Sequence, residues 1–297
     1  MTEDVSMAVP GPSGCPNRTW TSPSALRTIG WPRATRPGAY DARDVSLSQA
    51  DQPTLAIEQL RLPTLLALFL VPGAFMTVVF VVIAPVIETA GFPPIAAVLV
   101  AILIVLLPIE LGVILRAGRG HPQRIRSVVP YRQPLPIRDW LWLVPVLVVA
   151  AFVGFGLSMA IEPAVIDRLF GWLPDWFVRP IDPDQVGDYS RDAWLVTLAV
   201  YLVVNGFAGP IVEELYFRGY LLPRMEWMGR WAPLVNVSLF SLYHFWSPWQ
   251  ILGRILGFGP TVYAERWKEN VYLGMVVHCT LNTLTVIIVA SLVLGRL

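Results

Sequence analysis

From residue 62 onward the chain alternates long uncharged apolar runs with short polar segments. Leu62–Ile87 contains no charged residue and forms a first run, interrupted by Pro63, Pro72 and Pro85. Gly91–Ile109, Trp140–Ile161, Ala193–Val212, Trp231–Trp249 and Val271–Leu294 follow. Each is near the roughly 20 apolar residues that an α-helix needs to cross the hydrocarbon core. Gln250–Ala264 is apolar but short and contains Arg254. It can be a further span or a re-entrant piece. The pattern predicts an all-α polytopic membrane helical bundle of six to eight transmembrane helices, with seven the best guess.

Residues 1–60 carry no such pattern. Seven prolines between Pro10 and Pro53 interrupt any helix, and acids and bases nearly balance. No apolar core of a signal peptide precedes Leu62. The expected organisation is a disordered cytoplasmic tail over 1–60 and one membrane domain over 61–297.

Composition narrows the class. Of the 297 residues 55% are hydrophobic, only 14% are charged, and the mean hydropathy is +0.57. Soluble domains carry about 25% charged residues, so this chain lacks the charge to cover a water-facing surface. A net charge of +1 provides no field to recruit polyanions, so no nucleic-acid partner is expected. Cys15 and Cys279 lie far apart in sequence and form neither a disulfide framework nor a Cys-rich zinc module.

The basic residues predict orientation. Residues 116–138 hold six arginines, whereas residues 162–192 hold three arginines and seven acids. The first loop is therefore expected on the cytoplasmic side and the second outside, with the N-terminus cytoplasmic. If Gln250–Ala264 does not span, the C-terminus changes side.

Ionisable groups within spans cost at least about 2.5–3.5 kcal/mol each at a helix centre, and here they cluster. Glu213-Glu214 with Arg218 end the fourth run. His244 lies in the fifth, one turn after Phe240. His278 and Asn282 lie in the last. Glu214 and Arg218 share a helix face and can pair. Glu213 is rotated about 100° from Glu214 and need not join that pair. His278 and Asn282 project side by side. Glu110 reads as a boundary residue ending the second run, Arg254 as structural, and Cys279 as packing. The motifs E-E-x3-R, F-x3-H and H-x3-N coincide in this order with a chance probability of order 10⁻⁴ or less.

These three motifs, on membrane helices between about Ala193 and Leu294, resemble the CPBP family (CAAX proteases and bacteriocin-processing enzymes, also called Abi). The earlier spans match only as generic hydrophobic helices. The resemblance implies an intramembrane endopeptidase of CAAX prenyl protease type, with its site inside the bundle and reachable from the cytoplasm and from lipid. It assigns the catalytic glutamate to Glu213. Glu214 and Arg218 complete that motif, His244 is the second motif's histidine, and His278 and Asn282 carry the third. A membrane-anchored or prenylated protein or peptide is the implied substrate, and a bacterial plasma membrane the implied location.

Peptide hydrolysis needs an activated water and a stabiliser of the tetrahedral oxyanion. Glu213 suits the general base, His244 can orient the water, Asn282 can donate to the oxyanion, and His278 can serve the leaving amine. Glu213, His244 and His278 also offer the carboxylate and two imidazoles of a catalytic zinc (Zn2+) site, although no H-E-x-x-H is present. Both versions stand at this level, with a slight preference for the metal-free one. Two other classes compete: a non-catalytic membrane protein of the same fold, acting in bacteriocin immunity or as a scaffold, and a solute transporter, which the lack of an internal repeat disfavours.

Overall fold

The computed structural model describes residues 57–120 and 124–297. The predicted tail therefore lies outside the described residues as far as residue 56, as do Cys15 and His121. Residues 57–60 carry no regular secondary structure.

The principal helices among the described residues are α1 (Leu62–Thr89), α2 (Pro94–Ala117), α3 (Ile137–Met159), α4 (191–221), α5 (Ala232–Tyr243), α6 (Ile251–Lys268) and α7 (Val271–Leu294). No strand occurs among the described residues, only an isolated bridge between Arg132 and Asn270. Five segments are long and apolar enough to cross a membrane: α1, α2, α3, α7 and the 53-residue run Arg191–Tyr243. That run contains the predicted span Ala193–Val212 and the first part of Trp231–Trp249. It turns at Met225 and at Gly229, whose φ of +55° is left-handed and suits glycine. Beyond the turn α5 packs back on α4, where Asn236 Nδ2 donates to the Phe217 carbonyl at 2.9 Å. The chain is an integral membrane protein.

Local sequence explains the helix ends. α1 opens with Pro63 in its first turn, where a missing N–H costs nothing. Ser190 caps α4 by accepting from Ala193 N at 3.1 Å, and Asn270 caps α7 by accepting from Leu273 N at 3.0 Å. α6 stops at Glu269, in the left-handed region at φ +49°. The short α6–α7 corner is held to the α2–α3 connection. Gln133 N donates to Glu269 O, Val271 N to Tyr131 O, and Asn270 Nδ2 to Gln133 O.

Three expectations change. The second span does not end near Ile109. Its helix runs to Ala117 and encloses Glu110, which is fully buried and so is no boundary residue. The fifth span ends at Tyr243, because His244 leaves helical backbone at φ −78°, ψ +59° ahead of Ser247-Pro248. The short Gln250–Ala264 stretch is helical, within α6, but is not among the segments apolar enough to span.

Large apolar side chains face outward along α1 (Val71, Phe75, Val82), α3 (Leu141, Val149, Leu157) and α7 (Ile287, Ile288, Leu292). In lipid these faces are satisfied. Without a hydrophobic force between helices, close approach through small residues does the packing. A Cβ at Gly154 of α3 would sit 2.6 Å from the Leu256 backbone of α6, and a Cβ at Gly73 of α1 would overlap the Tyr243 carbonyl of α5. The last contact seats the C-terminal end of α5, where the polar centre begins.

Candidate active site

α4 is not a uniform α-helix. Leu202–Ala208 and Glu214–Leu221 are π-helical and flank the α-helical turn Gly209–Glu213. A π turn widens the helix and leaves carbonyls without the usual i→i+4 partner. One of them, Asn205 O, accepts from Asn282 Nδ2 of α7 at 2.8 Å. The irregular segment thereby ties α4 to α7 at the level of the two glutamates.

Glu213 and Glu214 meet opposite edges of one imidazole. His278 Nδ1 lies 2.8 Å from Glu214 Oε1, and His278 Nε2 lies 3.8 Å from Glu213 Oε2. A carboxylate can only accept, so Glu214 puts a proton on Nδ1. Glu214 Oε2 faces Arg218 Nε at 3.4 Å, with both side chains 1% exposed. The Arg218 guanidinium also stacks 4.0 Å from the Phe240 ring centroid. Arg218 is thus interior and paired. Glu213 Oε1 accepts from the Tyr243 hydroxyl at 2.5 Å.

His244 follows α5 and is nine-tenths buried in aromatic rings. Phe240, Tyr243 and Trp246 lie 4.8, 4.5 and 4.6 Å from it, centroid to centroid. Its Nδ1 bonds to the Phe240 carbonyl at 2.7 Å. That partner accepts only, so Nδ1 carries the proton and Nε2 is left as a lone-pair acceptor. Glu213, His244, His278 and Asn282 all line one cavity of about 950 Å³. Apolar residues such as Phe80, Ile95, Val98 and Phe155 form much of its remaining wall. Of the six residues singled out by motif, four line the cavity, while Glu214 and Arg218 lie behind it and hold His278.

Several neighbours escape motif reading. Tyr243 is one. Glu110 of α2 is fully buried, and neither of its carboxylate oxygens has a hydrogen-bond partner among the described residues. Glu265 of α6 is fully buried against Glu214, and a Cβ at Gly274 of α7 would overlap its carboxylate. The usable signal was present for both acids: an ionisable residue in an apolar helix has to be paid for by a partner. Arg254 of α6 also lines the cavity.

His278 Nδ1 is taken by Glu214, His244 Nδ1 by a carbonyl and Glu213 Oε1 by Tyr243, which leaves the two Nε2 atoms and Glu213 Oε2 as acceptors. Among the described residues no three His, Cys, Asp or Glu side chains are grouped to hold a metal ion.

Residues 195–284 match the family model described as "Type II CAAX prenyl endopeptidase Rce1-like". The matched stretch contains all six motif residues. No curated protein matches the chain, and no solved structure matches it. Residues 195–284 are thus similar to an Rce1-like type II CAAX prenyl endopeptidase domain.

Proposed function

We propose that the protein is an intramembrane endopeptidase that hydrolyses a peptide bond near the C-terminus of a membrane-anchored, prenylated substrate, by a water activated on Glu213. The observation that carries this reading is the opening of Glu213, His244, His278 and Asn282 onto one cavity that is polar at these residues and apolar along much of its wall. At about 950 Å³ the cavity is at the upper end of the usual range for ligand sites. The apolar wall suits a lipid chain, and the polar end suits a peptide bond.

The hydrogen-bond inventory directs the chemistry. Glu213 Oε2 and His244 Nε2 are acceptors, and a water satisfies both by donating one hydrogen to each. Its lone pair is then free to attack the scissile carbonyl. Glu213 takes the proton of the attacking water, and the Tyr243 hydroxyl fixes the carboxylate through Oε1. The carbonyl oxygen becomes an oxyanion, which accepts from the Asn282 amide hydrogen not committed to Asn205. On collapse the C–N bond breaks and the leaving amine receives the proton, with His278 Nε2 as the group beside Glu213 that can relay it. Glu214 and Arg218 keep the imidazole oriented, as the carboxylate does in a triad.

The decisive experiment compares purified wild type with Glu213→Gln on a panel of prenylated and leader-type peptides. Wild type is expected to cleave the prenylated ones. Loss of the base is expected to lower kcat about 10²–10⁴-fold. Full activity in Glu213→Gln would overturn the mechanism. Turnover of unprenylated leader peptides alone would overturn the substrate class.

A further inference from the structure

Arg254 projects from the first turns of α6 into the cavity wall and is only 7% exposed. Its environment is unlike that of Arg218. Arg218 has the Glu214 carboxylate, whereas among the described residues no carboxylate lies within ion-pair distance of Arg254. Its hydrogen-bond partners among the described residues are all neutral: Ser247 O at 3.0 Å, Ser247 Oγ at 2.5 Å and Gln250 Oε1 at 2.9 Å. Three of the five guanidinium N–H donors are used this way, and two remain. Gln250 in turn donates to Glu162 Oε1 at 3.3 Å, which puts one side chain between this carboxylate and Arg254.

A buried arginine without a counter-anion is costly unless something supplies one. The clamp on Ser247 and Gln250 fixes the guanidinium without neutralising it. Arg254 also stands one helical turn before Phe258, whose ring is 4.5 Å from the His278 imidazole. The uncompensated cation is therefore a neighbour of the reacting centre.

We propose that Arg254 receives the free C-terminal carboxylate of the substrate, making the enzyme selective for peptides cleaved close to an unblocked C-terminus. The inference rests on the endopeptidase reading and sharpens it. A C-terminal amide has no negative charge and brings N–H donors to face the donors of Arg254, so it should be rejected.

The test uses one prenylated peptide in two forms, free acid and C-terminal amide, with wild type and Arg254→Gln. Wild type is expected to prefer the acid at least about ten-fold in kcat/KM. Arg254→Gln should lower the acid value and bring the ratio to near one, while Arg254→Lys retains part of it. A purely structural role for Arg254 would lower both peptides equally and leave the ratio intact, which overturns the proposal. Equal wild-type rates on acid and amide overturn it while leaving the protease reading standing. Cleavage of neither form takes both down. Should Arg254→Gln fail to fold, product inhibition of wild type decides the matter. The released short peptide acid should inhibit at least about ten-fold better than its amide, and equal inhibition counts against the carboxylate site.

Discussion

The Tyr243 hydroxyl donates to Glu213 Oε1 at 2.5 Å, from the last residue of α5 to the end of an α-helical turn in α4. One oxygen of the proposed base is thereby fixed and the other left for water. Tyr243→Phe keeps the ring, which packs 4.9 Å from Phe217, but removes the donor. A hydrogen bond to a charged group contributes about 1.5–3 kcal/mol. The expected result is a fall in kcat of about ten-fold or more, with KM and the melting temperature little changed. A kcat equal to wild type would show that Glu213 needs no such support.

Arg218 and Glu214 are a buried pair, and removing one partner leaves the other charge stranded. Such losses cost about 3–5 kcal/mol. Glu214→Gln and Arg218→Leu should each lower the thermal midpoint in detergent, and the double variant should lose less than the sum of the two. Strict additivity would mean that the 3.4 Å contact carries no coupling.

Gly274 is needed for room. A Cβ there would overlap the Glu265 carboxylate and come within 3.0 Å of Glu214 Oε2. Gly274→Ala should therefore reduce both stability and turnover. Combining it with Glu265→Ala, which removes the obstructing group, should restore a large part of the stability. If the double variant melts below either single one, the crowding explanation is wrong.

Asn282 offers one amide hydrogen to Asn205 O and has a second for the oxyanion. Removing an oxyanion donor costs about 10²–10³ in kcat. Asn282→Ala should show that loss mainly in kcat. Asn282→Asp, which has the shape but no N–H, should do no better. Full activity in the aspartate variant would remove Asn282 from the oxyanion site.

Metal dependence has a separate readout. Because no three His, Cys, Asp or Glu side chains are grouped to hold a metal ion among the described residues, preincubation with a strong chelator is expected to leave turnover unchanged. Loss of activity restored specifically by zinc would require these side chains to rearrange.

Much of this was legible in the sequence, for physical reasons. Hydrophobic periodicity located the spans, and Val271–Leu294 coincides with its helix, because lipid demands long apolar runs. The i,i+4 spacings of Glu214–Arg218 and Phe240–His244 correspond to contacts, since neighbours on one helix face are fixed locally. What spacing could not give was the partnership between helices distant in sequence. Glu110 passed as a span end, although the helix continues through it, because a single glutamate near a loop looks interfacial. Glu265 lay in the ambiguous stretch around α6, and its meeting with Glu214 depends on the close approach permitted by Gly274. The division of His278 between Glu213 and Glu214 follows from the helical path around residue 213, which no motif encodes.

The two π-helical stretches in α4 carry a consequence for how this protein tolerates change. Each is an offset in the angular phase of the helix, set by the number of residues present and only weakly by their identity. Deleting one residue from 202–208 would turn everything downstream by about 100° and aim Glu213 and Glu214 away from His278, with every motif side chain still in the chain. Side-chain exchange along the lipid face of this helix should be forgiven. A change in length there should not, so the segment behaves as a fixed ruler between α7 and the proposed base.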